Sequence, residues 1–210
     1  MPATNALASP LHSARDRLLD AALELFATRG FQAIGLRDLA SHVGLHAGSL
    51  YHHFENKQSL LYELIESALT DLLSDTVGRI KGIRSPGKRL NLFIQAFTAF
   101  NLNEKYRLTL ITHEFANLDQ QQQLRIIQLK NTYSSVLRNI IAELNRSASK
   151  PAGESCPSTS AIILVLFGQT HWYALETRES QLSEILLNVA ICIISNNKKP
   201  QSNMPVPRDC

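Results

Sequence analysis

Apolar residues recur at the spacing of an α-helix from Ser13 onward. The first helix is predicted to end at Arg29-Gly30, because a cation suits the last turn of a helix and a glycine suits the position after it. Its apolar face is formed by Leu18, Leu19, Ala22, Leu23 and Phe26. A face of this kind must pack against other elements, so the helix belongs to a folded core.

Three further helices are predicted before the first clear break in the pattern. A short one starts after Gly35 and ends at Gly44, a second short one spans about His46 to His53, and a long one runs from Asn56-Lys57 towards Gly78.

Beyond Arg84-Ser85-Pro86-Gly87 the pattern predicts five more helices, near residues 88–101, 104–117, 119–147, 158–176 and 180–196. The stretch 147–157 is a loop by composition. We therefore predict an all-α fold. Residues 1–12 and 197–210 are interpreted as disordered tails, 13–58 as a small N-terminal helical domain and 59–196 as a larger helical domain.

Composition narrows the class of protein. The chain has 44% hydrophobic and 19% charged residues, which is typical of a globular protein. Neither a secretory signal nor an apolar run of about 20 residues is visible, so we expect a cytoplasmic protein that does not enter a membrane. Cys156, Cys192 and Cys210 are widely spaced and are interpreted as reduced thiols.

Net charge alone does not identify a partner. The formal charge is +3, but residues 1–60 contain five Arg or Lys and five Asp or Glu. The case for nucleic acid therefore depends on the pattern. Two short helices joined at Gly44 fit the helix-turn-helix plan, in which the second helix enters the major groove of DNA.

The helix over residues 46–54 has a face suited to that groove. At 100° per residue, His46, Leu50, His53 and Phe54 lie on one side, and Leu50 and Phe54 can pack inward. The other side carries Ala47, Gly48, Tyr51 and His52. Its two small residues let the backbone approach base edges closely.

The same segment resembles the TetR family of transcriptional regulators. The resemblance rests on Gly30 to Ala40 (GFQAIGLRDLA), Val43-Gly44-Leu45 and Gly48 to Lys57 (GSLYHHFENK). It implies that residues 13–58 are a three-helix, helix-turn-helix DNA-binding domain and that residues 59–196 are a helical effector-binding and dimerisation domain. It also implies a ligand-responsive repressor that binds an inverted-repeat operator in double-stranded DNA as a homodimer.

The resemblance implies specific roles at matching positions. Tyr51 should donate its hydroxyl to a phosphate, and Lys57 with the start of its helix should hold another. The full set of expected DNA-binding residues is Arg37, His46, Ala47, Gly48, Ser49, Tyr51, His52 and Lys57. Gly35 departs from the family pattern, which usually has threonine there, so one hydroxyl that could meet a phosphate is missing.

Other interpretations of these residues stay open. Arg37 could be a solvated surface residue, and His53 is better explained as a packed histidine. A metal site formed by the histidines at 42, 46, 52 and 53 is disfavoured, because they diverge around two helices and lack acidic or thiol support.

The last two helices are predicted to form a dimer interface. Residues 155–175 and 185–197 contain no Asp, Glu, Lys or Arg. A helix that is apolar on nearly all sides must be buried on nearly all sides, and a second subunit would cover it. TetR-like proteins dimerise through their last two helices, which agrees. A wholly internal helix pair in a monomer is the alternative.

A ligand pocket is predicted from aromatic residues with a few polar ones between them. The expected ligand-binding residues are Phe93, Phe97, Phe100, His113, Phe115, Asn117, Phe167, His171 and Trp172. Ordinary core packing is the alternative for each aromatic residue. The composition favours an apolar or amphipathic effector. The basic residues Arg79, Lys81, Arg84, Lys88 and Arg89 are interpreted as a solvated connector, with an anionic-ligand site as the alternative.

The sequence gives less support to other functions. No HExxH, GxSxG or P-loop motif is present, so we expect neither an enzyme nor a cofactor. A DNA-binding architectural or cell-division factor without an effector is the main alternative. Activation instead of repression is also open. As a regulator, the protein should associate with the nucleoid when bound to DNA.

Overall fold

The computed structural model describes residues 13–46, 54–146, 157–168 and 178–196. Within these ranges the chain forms α-helices and one short 3₁₀ turn, and no strand. The helices are α1 (Ala14–Arg29), α2 (Leu36–His42), α3 (Lys57–Ile80), α4 (Pro86–Asn103), α5 (Lys105–His113), α6 (Gln120–Arg146), α7 (Pro157–Gly168) and α8 (Glu179–Asn196), with the 3₁₀ turn at Phe115–Asn117. The prediction of an all-α fold is confirmed.

Helix α1 begins and ends where local chemistry predicts. The Ser13 hydroxyl accepts from the Asp16 N–H, and the Asp16 carboxylate accepts from the Ser13 N–H, both at 3.1 Å. This reciprocal pair forms a capping box. At the other end Gly30 has a φ of 84°, which glycine adopts without strain, and its N–H donates to Phe26 O at 3.0 Å.

Later helices are capped in the same way. Asn56 accepts from the Ser59 N–H at 2.7 Å at the start of α3. At the start of α4 Ser85 accepts from the Lys88 N–H, with Pro86 next in the chain. At the start of α6, Asp119 accepts from the Gln122 N–H at 2.8 Å, while the Gln122 side chain accepts from the Asp119 N–H.

One predicted helix is shorter than expected. A helix over 104–117 was predicted, but α5 stops at His113. Backbone bonds from Asn117 to Glu114 and from Leu118 to Phe115 then form the 3₁₀ turn, which redirects the chain before α6. All but the first residue of the predicted helix at 46–53 lies outside the described residues, as do the C-terminal end of the one at 158–176, nearly all of the loop at 147–157 and the two tails.

The chain divides by its packing into two compact units. The N-terminal unit contains residues 1–69 and 106–126, and the C-terminal unit contains 70–105 and 127–210, so α3 and α6 contribute to both. In the first, Phe26 and Phe31 meet edge to face, with ring centres 5.2 Å apart. The functional boundary between residues 58 and 59 remains a prediction. None of the described helices is long and apolar enough to cross a membrane.

Candidate DNA-reading head and effector site

The turn after α2 has the geometry that a helix-turn-helix needs. Gly44 has a φ of 70° and donates its N–H to Ser41 O at 3.2 Å, and the Leu45 N–H donates to Ala40 O at 2.8 Å. This pair of bonds is the Schellman motif, which ends a helix sharply and sends the chain in a new direction. The residues that follow lead directly into the predicted recognition helix.

The predicted DNA-binding residues are only partly described. Arg37, in the first turn of α2, and His46, after the turn, are both exposed, and Lys57 opens α3. Exposure leaves Arg37 and His46 able to meet a partner and fits the predicted role of each. The remaining five, Ala47, Gly48, Ser49, Tyr51 and His52, lie outside the described residues.

The ammonium group of Lys57 is engaged with the loop between α1 and α2. It donates to Phe31 O at 2.7 Å and to Ile34 O at 2.9 Å, and it lies 4.0 Å from the centre of the Phe31 ring. Burial lowers the pKa of Lys57, and the Glu114 carboxylate partly opposes that shift. Two of the three ammonium hydrogens are therefore used to hold the loop against α3.

A second group of polar contacts also holds this loop. Glu114 accepts from the Phe31 N–H at 3.2 Å and from the Asn117 side chain at 2.6 Å. Asn117 in turn accepts from Gln32 at 2.5 Å through its side chain and from Gln58 at 3.3 Å through its carbonyl. We call Gln32, Gln58, Glu114 and Asn117 the loop-holding network.

The loop-holding network was missed by sequence reasoning, which assigned Asn117 to the ligand pocket. Glu114 and Phe31 are separated by 83 positions, and no local pattern pairs them. The polar side-chain atoms of Asn117 are both used inside the network. Of its predicted pocket neighbours, His113 is exposed and Phe115 is half-buried, and both belong to the N-terminal unit.

Four aromatic residues form a cluster in the C-terminal unit, contributed by α4, α6 and α7. The ring centres are 4.9 Å apart for Phe93 and Tyr133, 5.0 Å for Phe97 and Phe167, and 6.2 Å for Tyr133 and Phe167. We call Phe93, Phe97, Tyr133 and Phe167 the aromatic cluster. Three of its members were predicted as ligand-binding residues, and Tyr133 was not.

Three further residues were predicted to line the pocket, and only one of them is described. Phe100 is buried on α4, the helix that also carries Phe93 and Phe97. His171 and Trp172 lie outside the described residues. Within the C-terminal unit the structure therefore brings together Phe93, Phe97 and Phe167 of the predicted set.

Helices α7 and α8 each expose large apolar side chains. Leu164 on α7 is 73% exposed, and Ile185 and Ile191 on α8 are 45% and 46% exposed. Val165 and Val189 are exposed beside them. An apolar patch of this kind on a single chain is typical of a protein–protein interface.

The basic residues between α3 and α4 are partly paired. Arg79 donates to Asp75 at 2.8 Å, and Arg89 forms an ion pair with Glu143. Lys81, Arg84 and Lys88 are exposed. No group of three or more potential metal-ligating side chains occurs among the described residues.

Two family models match the chain in succession. Residues 18–64 match the model for bacterial regulatory proteins of the tetR family, and residues 84–184 match the model for the tetracyclin repressor-like C-terminal domain. The first match runs from within α1, through α2, into α3. The second runs from just before α4 into α8.

Curated relatives match over the larger part of their length. The HTH-type transcriptional repressor KstR2 of Mycolicibacterium smegmatis is 33% identical over 124 residues, which is 57% of this chain and 58% of that protein. The HTH-type transcriptional regulator BetI of Agrobacterium fabrum is 32% identical over 133 residues, 63% of this chain and 64% of that protein. The matched region thus spans less than two thirds of these relatives.

Solved structures share the fold across most of the chain. A TetR-family regulator from Bordetella parapertussis has a TM-score of 0.79 at 17% identity, covering 86% of this chain and 95% of that one. The ketosteroid transcriptional regulator KstR2 of Mycobacterium tuberculosis has a TM-score of 0.74 at 20% identity, covering 91% and 98%.

Proposed function

The chain belongs to the TetR family of bacterial regulatory proteins, and on that premise we propose that it is a ligand-responsive transcriptional repressor that binds operator DNA as a homodimer. The observation that carries the proposal is the turn at Gly44, whose Schellman motif lies inside the segment that matches the tetR-family model. A regulator of this kind works in the cytoplasm, on the nucleoid when bound.

DNA contact is assigned to the head formed by residues 13–58. Arg37, His46, Ala47, Gly48, Ser49, Tyr51, His52 and Lys57 are the proposed contact residues. Exposure of Arg37 and His46 on either side of the Gly44 turn supports this assignment. Because Lys57 already donates to Phe31 O and Ile34 O, its third hydrogen is the one left for a phosphate.

Dimerisation is assigned to α7 and α8. The exposed apolar side chains there, Leu164, Val165, Ile185, Val189 and Ile191, would be covered by the same helices of a second copy. A two-fold dimer presents two recognition helices about one DNA turn apart, so the operator should be an inverted repeat.

The effector site is assigned to the C-terminal unit, around the aromatic cluster. A ligand that favours one arrangement of the two DNA-reading heads over another changes operator affinity by its differential affinity for the two arrangements. Helix α3, which contributes to both units, would carry that change to the head. Within the head, α3 is joined to the α1–α2 loop by the hydrogen bonds of Lys57.

The test is selection of bound duplexes from a random pool by the purified chain at moderate salt. Enrichment of an inverted repeat is the expected result. Arg37→Ala should weaken binding to the enriched sequence, whereas Arg17→Ala, which changes an exposed arginine on α1, should leave it unchanged. General, salt-sensitive binding without a preferred sequence would overturn the proposal and favour an architectural DNA-binding protein.

A further inference from the structure

Arg15, in the first turn of α1, contacts two segments that are distant in sequence. Its guanidinium donates from Nη2 to both carboxylate oxygens of Glu63 on α3, at 2.5 Å each. The same guanidinium lies over the ring of Phe54, with its central carbon 5.1 Å from the ring centre. A planar guanidinium can meet a carboxylate with its edge and an aromatic ring with its face. Arg15 therefore joins α1, α3 and Phe54, which lies between α2 and α3.

The ion pair of Arg15 contributes little to the stability of the fold. A cation in the first turn of a helix is disfavoured by the helix dipole. The side chains of Arg15 and Glu63 are 42% and 35% exposed, and an ion pair in contact with water stabilises a fold only slightly. Phe54, by contrast, is buried. The effect of these contacts therefore falls on the position of Phe54 more than on the stability of the fold.

Phe54 closes the segment 46–54, to which the proposed function assigns most of the DNA contacts. At its other end this segment follows the Gly44 turn, where hydrogen bonds to Ser41 O and Ala40 O fix the direction of the chain. Hydrogen bonds to base edges are directional, so the side chains that make them must be held in fixed positions. A segment attached only at the Gly44 turn could change its tilt in the groove, and a second attachment at Phe54 would prevent this.

We propose that Arg15 is a positioning residue for base recognition. Through Phe54 and Glu63 it fixes the C-terminal end of segment 46–54, and so gives the protein its preference for the operator over other DNA. This inference rests on the DNA-binding function proposed above. Arg15 acts through Phe54 and does not itself contact DNA. Because phosphate contacts carry no sequence information, loss of Arg15 should reduce operator preference more than general affinity.

Arg15→Met tests this with two duplexes of equal length, the selected operator and a scrambled sequence. Dissociation constants are measured by fluorescence anisotropy at several salt concentrations. The preference, which is the ratio of the two constants, should fall by about two- to fivefold, the amount expected for one cation–π contact. The slope of log affinity against log salt should not change. A slope lower by about one unit would show that Arg15 binds a phosphate directly and would overturn the proposal.

Glu63→Gln gives the sharpest contrast, since removing an acidic group near DNA normally raises affinity for any duplex. If Glu63 holds Arg15 in place, operator preference should instead fall. The double variant should lose no more preference than either single variant, because both substitutions break one arrangement. Arg15→Lys should not restore preference, because an ammonium group lacks the planar face and edge. Additive losses, or full preference in Arg15→Lys, would overturn the proposal.

Arg17→Met is the matched control, because Arg17 is an exposed arginine on the same helix. It removes the same charge and should leave operator preference unchanged. A fall equal to that in Arg15→Met would assign the effect to charge alone and overturn the proposal. Both variants should melt within about 5 °C of the wild type. A larger drop in Arg15→Met would show that Arg15 holds the fold as a whole, which would also overturn it.

A measurement without DNA separates this inference from the proposed function. Deuterium uptake by the peptide spanning residues 46–56 is followed by mass spectrometry in the wild type and in Arg15→Met. Uptake should rise in this peptide and stay the same in α4, and unchanged uptake in the peptide would overturn the proposal. If no operator is selected from the random pool, the DNA-binding function fails, whereas faster uptake would still show that Arg15 holds Phe54.

Discussion

The two units of this protein differ in how completely their polar groups are partnered. In the N-terminal unit, Lys57 and the loop-holding network connect elements up to 85 positions apart in sequence. No buried side-chain nitrogen or oxygen among its described residues lacks a partner. In the described part of the C-terminal unit four such atoms do: Arg89 Nε, Tyr133 Oη, Asn145 Oδ1 and Thr159 Oγ1.

Exposed large apolar side chains of the described residues are concentrated in the C-terminal unit, with Leu124 as the exception in the N-terminal unit. The C-terminal unit exposes Leu164, Ile185 and Ile191, and it also contains the aromatic cluster. Exposed apolar faces and buried polar atoms without partners are typical of a unit that binds other molecules, which we propose to be a second copy and a ligand. Among the described residues, the N-terminal unit exposes one large apolar side chain, Leu124, and leaves no buried side-chain nitrogen or oxygen without a partner.

The largest expected effect is on the assembly of the C-terminal unit. Leu164→Asp replaces a 73% exposed leucine of the proposed interface by a charge. Burying a leucine stabilises an interface by about 1.5–3 kcal/mol, and two-fold symmetry applies the loss twice. Dimerisation should therefore weaken by at least about a hundredfold, measured by sedimentation equilibrium.

Leu124→Asp is the control for that experiment. Leu124 is also strongly exposed, at 57%, but it lies on the part of α6 that belongs to the N-terminal unit. Its substitution should leave the association constant unchanged. If both variants dissociate equally, or neither does, the exposed faces of α7 and α8 are not the interface.

The next largest effect tests the hydrogen bonds that hold the α1–α2 loop against α3. Lys57→Met keeps the length of the side chain but leaves Phe31 O and Ile34 O without their donor. The free energy of unfolding should fall by about 1–2 kcal/mol, measured by urea denaturation. Lys81→Met, at an exposed lysine, is the matched control and should change it little.

Lys57→Met also separates two possible roles of Lys57 in DNA binding. If the third ammonium hydrogen meets a phosphate, the slope of log affinity against log salt should drop by about one unit. If Lys57 only holds the loop, affinity should fall while the slope stays the same. An unchanged affinity and an unchanged slope would contradict both roles.

Sequence reasoning succeeded where structure is decided locally. The bounds of α1 follow from Ser13, Asp16 and Gly30, whose hydrogen bonds span three or four residues. Pro86 similarly predicts the break before α4. Such caps can be found in a sequence because all of their parts lie within one helical turn.

The same reasoning missed contacts that depend on distant segments. Glu114 was not connected with Phe31, and Asn117 was given to the pocket although it bonds to Gln32. Tyr133 was overlooked because α6 is strongly polar and one tyrosine on it has no distinctive neighbours in sequence. Its importance is visible only once Phe93 and Phe167 are seen around it.

A smaller effect concerns the buried Tyr133 hydroxyl of the C-terminal unit at high pH. The pKa of Tyr133 is raised in the folded chain, so the folded state keeps a proton that the unfolded state releases above its ordinary pKa of about 10. Stability from this group is complete below that pH and falls as pH rises towards the folded pKa, by about 1.4 kcal/mol per pH unit.

Tyr133→Phe removes that dependence and nothing else that titrates. Between about pH 10 and 11 the wild-type free energy of unfolding should therefore fall more steeply than that of the variant. The difference in slope should approach about 1.4 kcal/mol per pH unit, the value for one bound proton. Urea denaturation at several pH values measures both slopes. Parallel curves would mean that the hydroxyl is not shielded from water, which would weaken the contrast between the units.

The smallest expected effect lies at Gly35, where the reading head lacks the family's usual threonine. The Asp38 carboxylate accepts the Gly35 N–H at 2.8 Å, and an added Cβ would meet Asp38 Oδ2 at 3.0 Å. Gly35→Thr supplies a hydroxyl at the start of α2 while displacing only the end of that carboxylate. Because glycine and threonine are similar caps, stability should change by less than about 0.5 kcal/mol.

DNA affinity should rise about two- to fivefold in Gly35→Thr, and equally for the selected operator and a scrambled duplex, because a phosphate contact carries no sequence information. Gly35→Val, with nearly the same shape and no hydroxyl, separates this contact from the change in backbone freedom. An equal gain in Val and Thr would assign the effect to a stiffer α2 start. A gain for the operator alone would place residue 35 among the base-reading positions instead.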